Sequence, residues 1–333
     1  MAKHLITGGA GFIGSHLSEL LLNRGEHVSV IDDLSTGRFS NIAALEKNDR
    51  FKCFIDDVRN EDLIEELVRE ADFIYHLAAS VGVQLIIDRP TETIINNIMS
   101  TEIVLTNACR YRKPLLITST SEVYGKSEQP TFREDADRIM GPTCKSRWGY
   151  AESKAIDEFL ALAYYSEKHL PVAIVRLFNT VGPRQTGRYG MVIPTFVRQA
   201  LLEEPIGVFG DGSQTRCFAH VLDVVPQLAE LVKRPDAYGL VVNVGSQEEI
   251  SIKTLAERII SMTKSKSKVR LIPYAQAYPP GFEDMERRMP DLGRLQGLTG
   301  YSPKYRLEQI LRDVVADVRG QLESHDPLVR STV

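Results

Sequence analysis

Short apolar runs alternate with longer amphipathic stretches through the first half of the chain. The runs are Leu5-Ile6-Thr7, Val28 to Ile31, Phe51 to Ile55, Phe73-Ile74-Tyr75, Leu115-Leu116-Ile117 and Val172 to Leu177. They are β-branched or aromatic and largely apolar on both faces, the pattern of parallel strands covered by helices on either side. Between them, Gly14 to Asn23, Asp62 to Arg69, Thr93 to Arg110 and Tyr150 to Lys168 have a helical pattern. Such alternation predicts βαβ units, hence an α/β fold with a doubly wound parallel sheet.

After about Asn179 the texture changes. Glycine and proline cluster in Val181-Gly182-Pro183-Arg184 and in Phe209-Gly210-Asp211-Gly212-Ser213, and a loop-like stretch runs from Pro273 to Pro290. This reads as a smaller, loop-rich C-terminal lobe set over the carboxyl edge of the sheet. Leu240 to Val244 still has the pattern of a sheet strand, so the lobes interleave. The expected division is a sheet domain over residues 1–178 with a strand returning near 240–244, a lobe over 179–322, and a loose polar tail over 323–333. No internal repeat interrupts this plan.

Composition narrows the function. The 333 residues are 43% hydrophobic and 25% charged, with a net charge of −4. No basic excess favours nucleic acid or an anionic membrane. No apolar run reaches the roughly 18 residues of a membrane helix. Cys53, Cys109, Cys144 and Cys217 form no CxxC pair, so no zinc site is expected. The start of the chain lacks the apolar region of a signal peptide, and a reducing, cytoplasmic compartment is the expectation.

The first candidate chemistry is at the start, His4-Leu5-Ile6-Thr7-Gly8-Gly9-Ala10-Gly11-Phe12-Ile13-Gly14. Gly8, Gly11 and Gly14 follow a strand and open a helix. They suit a tight turn, close approach of backbone amides to a pyrophosphate, and close packing of helix on strand. Asp32 ends the second strand, 18 positions after Gly14. A carboxylate there suits a ribose diol and repels a 2′-phosphate, so the expected cofactor is NAD and not NADP. Asp57, ending the third strand, is a candidate for the adenine edge. Tyr150 and Lys154 lie four apart on a predicted helix and share a face. A lysine one turn away lowers the cost of a phenolate, which an ordinary tyrosine, with a pKa of about 10, needs to act as a base near neutrality.

The glycine loop, the segment Thr118-Ser119-Thr120-Ser121-Glu122-Val123-Tyr124-Gly125 and the YxxxK motif 26 residues after Tyr124 occur in that order. Together they resemble the extended short-chain dehydrogenase/reductases: nucleotide-sugar epimerases, dehydratases and decarboxylases. The likeness extends to His76-Leu77-Ala78-Ala79, Arg176-Leu177-Phe178-Asn179, Gly182-Pro183-Arg184, Arg216 and Arg288-Met289-Pro290-Asp291. It implies a Rossmann-type sheet domain, bound NAD and a nucleotide-diphosphate sugar that passes through a transient 4-keto form. It implies Tyr150 as base, Thr120 hydrogen-bonded to the same sugar oxygen, and Lys154 on the nicotinamide ribose. Cofactor contacts would include Phe12, Ile13, Val58, Leu77, Ala78, Ala79 and Thr118. Ser121, Asn179, Arg216 and Arg288 would hold substrate, arginine suiting phosphate through its planar fork. A homodimer through the helices Thr93 to Arg110 and Tyr150 to Lys168 is the family expectation.

The 4-keto group is an electron sink that opens several reactions. Ser121-Glu122 after Thr120 is similar to UDP-glucuronate decarboxylases and GDP-mannose dehydratases, and Arg147-Trp148-Gly149-Tyr150 leans toward decarboxylation to UDP-xylose or a UDP-4-keto-pentose. Ala151-Glu152-Ser153 and Ala79-Ser80-Val81-Gly82-Val83 follow the epimerase pattern instead. A 4-epimerase and then a 4,6-dehydratase are therefore the alternatives, and a non-catalytic nucleotide sensor is the reading from another class. Such sensors usually lose the tyrosine or lysine, and this chain keeps Thr120, Tyr150 and Lys154.

Overall fold

The computed structural model describes all residues except 82–87, 188–189, 274–275, 277–284, 286 and 325–333. Gly82 and Val83, most of the stretch between Pro273 and Pro290, and the tail beyond Ser324 therefore lie outside the described residues.

Seven parallel strands form the main sheet: β1 Lys3–Thr7, β2 His27–Ile31, β3 Phe51–Phe54, β4 Phe73–His76, β5 Leu115–Thr120, β6 Val172–Leu177 and, much later in the chain, β11 Val241–Val244. Their spatial order is β11-β6-β5-β4-β1-β2-β3. The chain winds outward one way from β1 and the other way from β4, so the direction switches between these two neighbours. A crevice opens at the carboxyl ends of the strands at such a point. Register aligns those ends: Thr7 pairs with both Ile31 and His76.

Successive strand residues point to opposite faces, and both faces are apolar. Ile6, Val30, Leu116 and Val175 pack against α1 (Phe12–Asn23) and α6 (Val221–Leu231). Leu5, Ile31, Leu115 and Ile174 pack on the other side against α2 (Glu61–Glu70), α3 (Pro90–Arg110) and α4 (Arg147–Lys168). Each such side chain, fully buried, contributes about 1.5–3 kcal/mol.

The second lobe has its own core of Ile193, Phe196, Val208, Leu255, Ile310 and Val314. These come from α5 (Val192–Leu201), β8 (Ile206–Phe209), α7 (Ile252–Thr263) and α9 (Leu307–Glu323). Its short strand pairs are β7 (Thr180–Val181) with β10 (Ala219–His220), β9 (Thr215–Cys217) with β12 (Glu249–Ser251), and β8 with β13 (Val269–Ile272). The short helix α8 (Gly293–Thr299) packs near β11.

Two local features depart from the hydrophobic pattern. Helix α4 begins three residues before Tyr150, at Arg147, because Gly149 is helical and not a breaker. A Cβ on Gly149 would sit 3.0 Å from Ile94 of α3, so the glycine lets the two helices close. A 3-10 turn over Ser121–Tyr124, capped by the Thr120 side chain, follows β5. Behind it lies a buried network. Ser119 donates to Glu158 Oε1 at 2.5 Å, and Arg176 donates to both Glu158 oxygens at 2.9 and 2.7 Å. Asn243 of β11 accepts from the Tyr124 hydroxyl at 2.7 Å, donates to Phe132 O and takes Glu134 on its backbone amide.

Candidate active site

A cleft of about 1530 Å³ runs over the carboxyl ends of the strands, and every site residue singled out from the sequence lines it. At one end the glycine loop leaves β1. Gly8 has φ +73°, and a Cβ there would sit 2.8 Å from the backbone nitrogen of Ala78. A Cβ on Gly14 would run into the carbonyl of Gly8. The loop is therefore pinched between β4 and the start of α1, with that helix's free amides facing the cleft. Asp32 Oδ2 accepts from Ala10 N at 2.9 Å and Oδ1 from Leu34 N at 2.8 Å. Gly11 N is a third backbone donor, so these amides aim the carboxylate and leave it an acceptor site for a ribose hydroxyl. Burial raises the Asp32 pKa, against the pull of these amides. Asp57 lies nearby with its carboxylate held by Arg59, whose hydrogen bonds lower its pKa. The shape and donors of this end fit a dinucleotide.

In the middle of the cleft, β5 and α4 bring Thr118, Thr120, Tyr150 and Lys154 together. Tyr150 is in the first turn of α4 and hydrogen-bonds Thr120. Burial, then the charges of Glu122 and Asp157, push its phenol above the ordinary range. Lys154 Nζ donates to Asp157 Oδ2 at 2.7 Å. Beneath them His76 links Thr7 at 2.8 Å to Thr101 at 3.1 Å. Burial, helped by the Lys154 charge, depresses its pKa to about 3, so it is a neutral bridge between β1 and α3.

Beyond Tyr150 lies a charged cluster. Glu122 is nearly buried, with Oε1 at 3.4 Å from Arg288 Nη1 and 3.9 Å from Arg147 Nη2. Its Oε2 is buried and accepts no hydrogen bond among the described residues. Ser121 is beside it on the 3-10 turn. Asn179 and Arg216 stand further along the cleft, in the second lobe. The Asn179 side chain donates to Cys217 O at 2.9 Å, and Arg216 Nη1 reaches its neighbour's carbonyl, Thr215 O, at 2.8 Å. The contact of Arg147 with Glu122 and that of Asp157 with Lys154 are additions from the structure. The sequence signal for Arg147 was its place in the Arg-Trp-Gly-Tyr run, and for Asp157 nothing beyond helical spacing. Cys144 is exposed, and Cys217 is buried with its thiol pKa raised by burial to about 12.

Over residues 5–314 the chain matches the family described as GDP-mannose 4,6 dehydratase. The chain belongs to this family. Its members are extended short-chain dehydrogenases and NAD-dependent nucleotide-sugar enzymes, which makes this protein an enzyme of the same kind. Among relatives, UDP-N-acetyl-alpha-D-glucosaminuronate decarboxylase of Bacillus cytotoxicus is 40% identical over 313 residues, 93% of this chain and 96% of that protein. UDP-glucuronic acid decarboxylase 1 of Danio rerio is 36% identical, over 96% of this chain and 73% of that protein. Among solved structures, UDP-glucuronic acid 4-epimerase from Bacillus cereus, in complex with UDP-glucuronic acid and NAD, superposes with a TM-score of 0.85 at 30% identity. The match covers 96% of this chain and 99% of that one.

Proposed function

We propose that this short-chain dehydrogenase is a UDP-uronate decarboxylase that takes UDP-glucuronate to UDP-xylose or a UDP-4-keto-pentose. The observation that carries the reading is Glu122 set between Arg288 and Arg147, beside Tyr150. A 4-epimerase has no use for a carboxyl group held there, whereas a reaction passing through charge at carbon 5 does. Two decarboxylases among the relatives support it.

Tyr150 takes the proton of the sugar 4-hydroxyl, with Thr120 fixing that oxygen. Lys154 and Asp32 hold the two riboses of the dinucleotide, and the glycine loop its pyrophosphate. Phe12, Ile13, Asp57, Val58, Leu77, Ala78, Ala79 and Thr118 complete that side. Bound NAD+ supplies hydride acceptance at carbon 4 and its return. Once carbon 4 is a ketone, the carboxylate on carbon 5 belongs to a β-keto acid. The bond between them breaks, carbon dioxide leaves, and the electron pair passes into the enolate. Arg288 orients the carboxylate; Glu122 assists proton delivery to carbon 5. Asn179, Arg216 and Ser121 hold the diphosphate and the sugar.

The test is incubation of the purified protein with NAD+ and, separately, UDP-glucuronate and its 2-acetamido analogue. Carbon dioxide and a UDP-pentose support the reading. UDP-galacturonate overturns it in favour of 4-epimerisation. Glu122→Gln is expected to slow carbon dioxide release by about 10²-fold while the first hydride transfer persists.

A second copy of the chain is the proposed partner. Ile95 and Met99 on α3 and Ile156 and Phe159 on α4 leave large apolar side chains exposed on two packed helices. Among the described residues no helix is long and apolar enough to cross a membrane. A cytoplasmic site, where four free thiols stay reduced, is the compartment proposed.

A further inference from the structure

Asp157 takes no part in the reaction just described, yet it is fully buried. Its carboxylate holds the Lys154 ammonium at 2.7 Å, and the two side chains are 0% and 3% exposed. A carboxylate is rarely buried unless a cation or several donors surround it. Here the cation is the lysine that shares a helix face with Tyr150. The other groups facing this spot come from several elements. His76 at the end of β4 is neutral, and Thr101 of α3 bridges toward Asp157. Glu122 follows β5 with Arg147 and Arg288 beside it, and Glu158 of α4 is bound to Arg176 of β6. Apart from Lys154, then, the groups nearest Tyr150 include two anions, Glu122 and Asp157.

A lone lysine close to a phenol favours the phenolate. A lysine–aspartate ion pair carries no net charge, and its field at the phenol is that of a dipole. We propose that Asp157 is a positioning residue that aims the Lys154 ammonium and offsets its charge, so that Tyr150 stays a phenol until a second positive charge enters the cleft. That second charge is the oxidised nicotinamide ring. Proton removal from the sugar is thereby tied to the presence of the hydride acceptor, and the reduced cofactor, which lacks the ring charge, leaves the tyrosine protonated. Removing Asp157 has two opposed effects. It bares the lysine charge, which lowers the phenol pKa, and it strips the ammonium of its counter-ion. The amide oxygen of an asparagine, or the hydroxyl of a serine, still accepts from the ammonium without cancelling its charge, and the first effect wins.

The inference rests on Tyr150 being the base but not on which sugar is turned over. The test uses the full chain with ring-labelled tyrosine, titrated by NMR without cofactor and with NAD+, the Tyr150 signal being assigned by its loss in Tyr150→Phe. The pH profile of hydride transfer is measured alongside. Asp157→Asn should move the Tyr150 titration and the acid limb of the profile to lower pH. At the pH where the parent runs at half its plateau, the variant should be faster by up to about twofold. Asp157→Glu should return both toward the parent. Should Asp157→Asn fold poorly, Asp157→Ser carries the same test. A shift to higher pH would overturn the proposal and make Asp157 a guardian of lysine protonation. Loss of rate at every pH with an unmoved titration would also overturn it and leave a scaffold residue. Absence of carbon dioxide with the titration shift present would sink the decarboxylase reading alone.

Discussion

Glu158→Gln is the perturbation whose size follows most directly from the structure. Glu158 and Arg176 are bidentate, at 2.9 and 2.7 Å, with side-chain exposures of 7% and 6%. The pair ties α4, which carries Tyr150 and Lys154, to β6, and through Ser119 to β5. Removing one partner of a buried pair costs about 3–5 kcal/mol, because the other charge is left uncompensated. Glutamine keeps the shape and one acceptor, so about 3 kcal/mol is expected. That is roughly a hundredfold or more in the folded-to-unfolded ratio. In a chain of 333 residues, with an unfolding entropy of about 0.7 kcal/mol/K, it corresponds to about 4 °C in Tm. Glu308→Gln is the control. Glu308 and Arg312 are 55% and 62% exposed, and breaking such a pair shifts stability by about 0–1 kcal/mol. Thermal and urea melts of both variants, followed by circular dichroism, read the difference. Equal melting temperatures for the two would refute the argument that burial gives the Glu158–Arg176 pair its weight.

Other expectations are as direct. Tyr150→Phe removes only the hydroxyl, so turnover should fall by about 10²–10⁴ while cofactor stays bound; product analysis and cofactor absorbance report the two separately, and undiminished turnover would remove Tyr150 as base. Burial lowers the pKa of His4 and of His16 from 6.5 to about 4. Between those values the unfolded chain binds protons that the folded chain does not, so stability declines as pH falls from about 6.5 toward 4. Neither ring nitrogen of His4 has a hydrogen-bond partner among the described residues, and His4→Leu should flatten part of that decline in urea melts. Phe159→Glu should convert a dimer to a monomer in sedimentation without changing the far-ultraviolet spectrum; a monomeric parent would dismiss the apolar face as an interface.

What could be read from the sequence was the chemistry written in short stretches. The glycine loop, Asp32 and the Tyr150–Lys154 pair each lie within one or two elements, and local spacing is enough to bring their atoms together. The strands were equally plain, since both faces of the sheet are buried. Contacts made by the fold were not readable. Arg288 and Glu122 are 166 positions apart, and nothing local to either selects the other. Asp157 stands among Glu152, Lys154 and Glu158 on a helix with polar residues on several sides. Periodicity alone could not say which of those charges turns inward. The expected helix begins at Tyr150 and the observed one begins at Arg147, with Gly149 inside it where α3 packs close.

The late return of Val241–Val244 to the sheet bears on how this molecule is assembled. Until those residues are made, β6 is an edge with unpaired backbone groups, and Tyr124 and Glu134 await a partner more than a hundred residues downstream. Synthesis of the first 178 residues therefore does not complete the cofactor half, and the lobes are not interchangeable cassettes. A chimera cut after Leu177 would part Asn243 from the Tyr124 it supports. One that carries residues 241–244 along with 1–178 keeps the floor of the site whole.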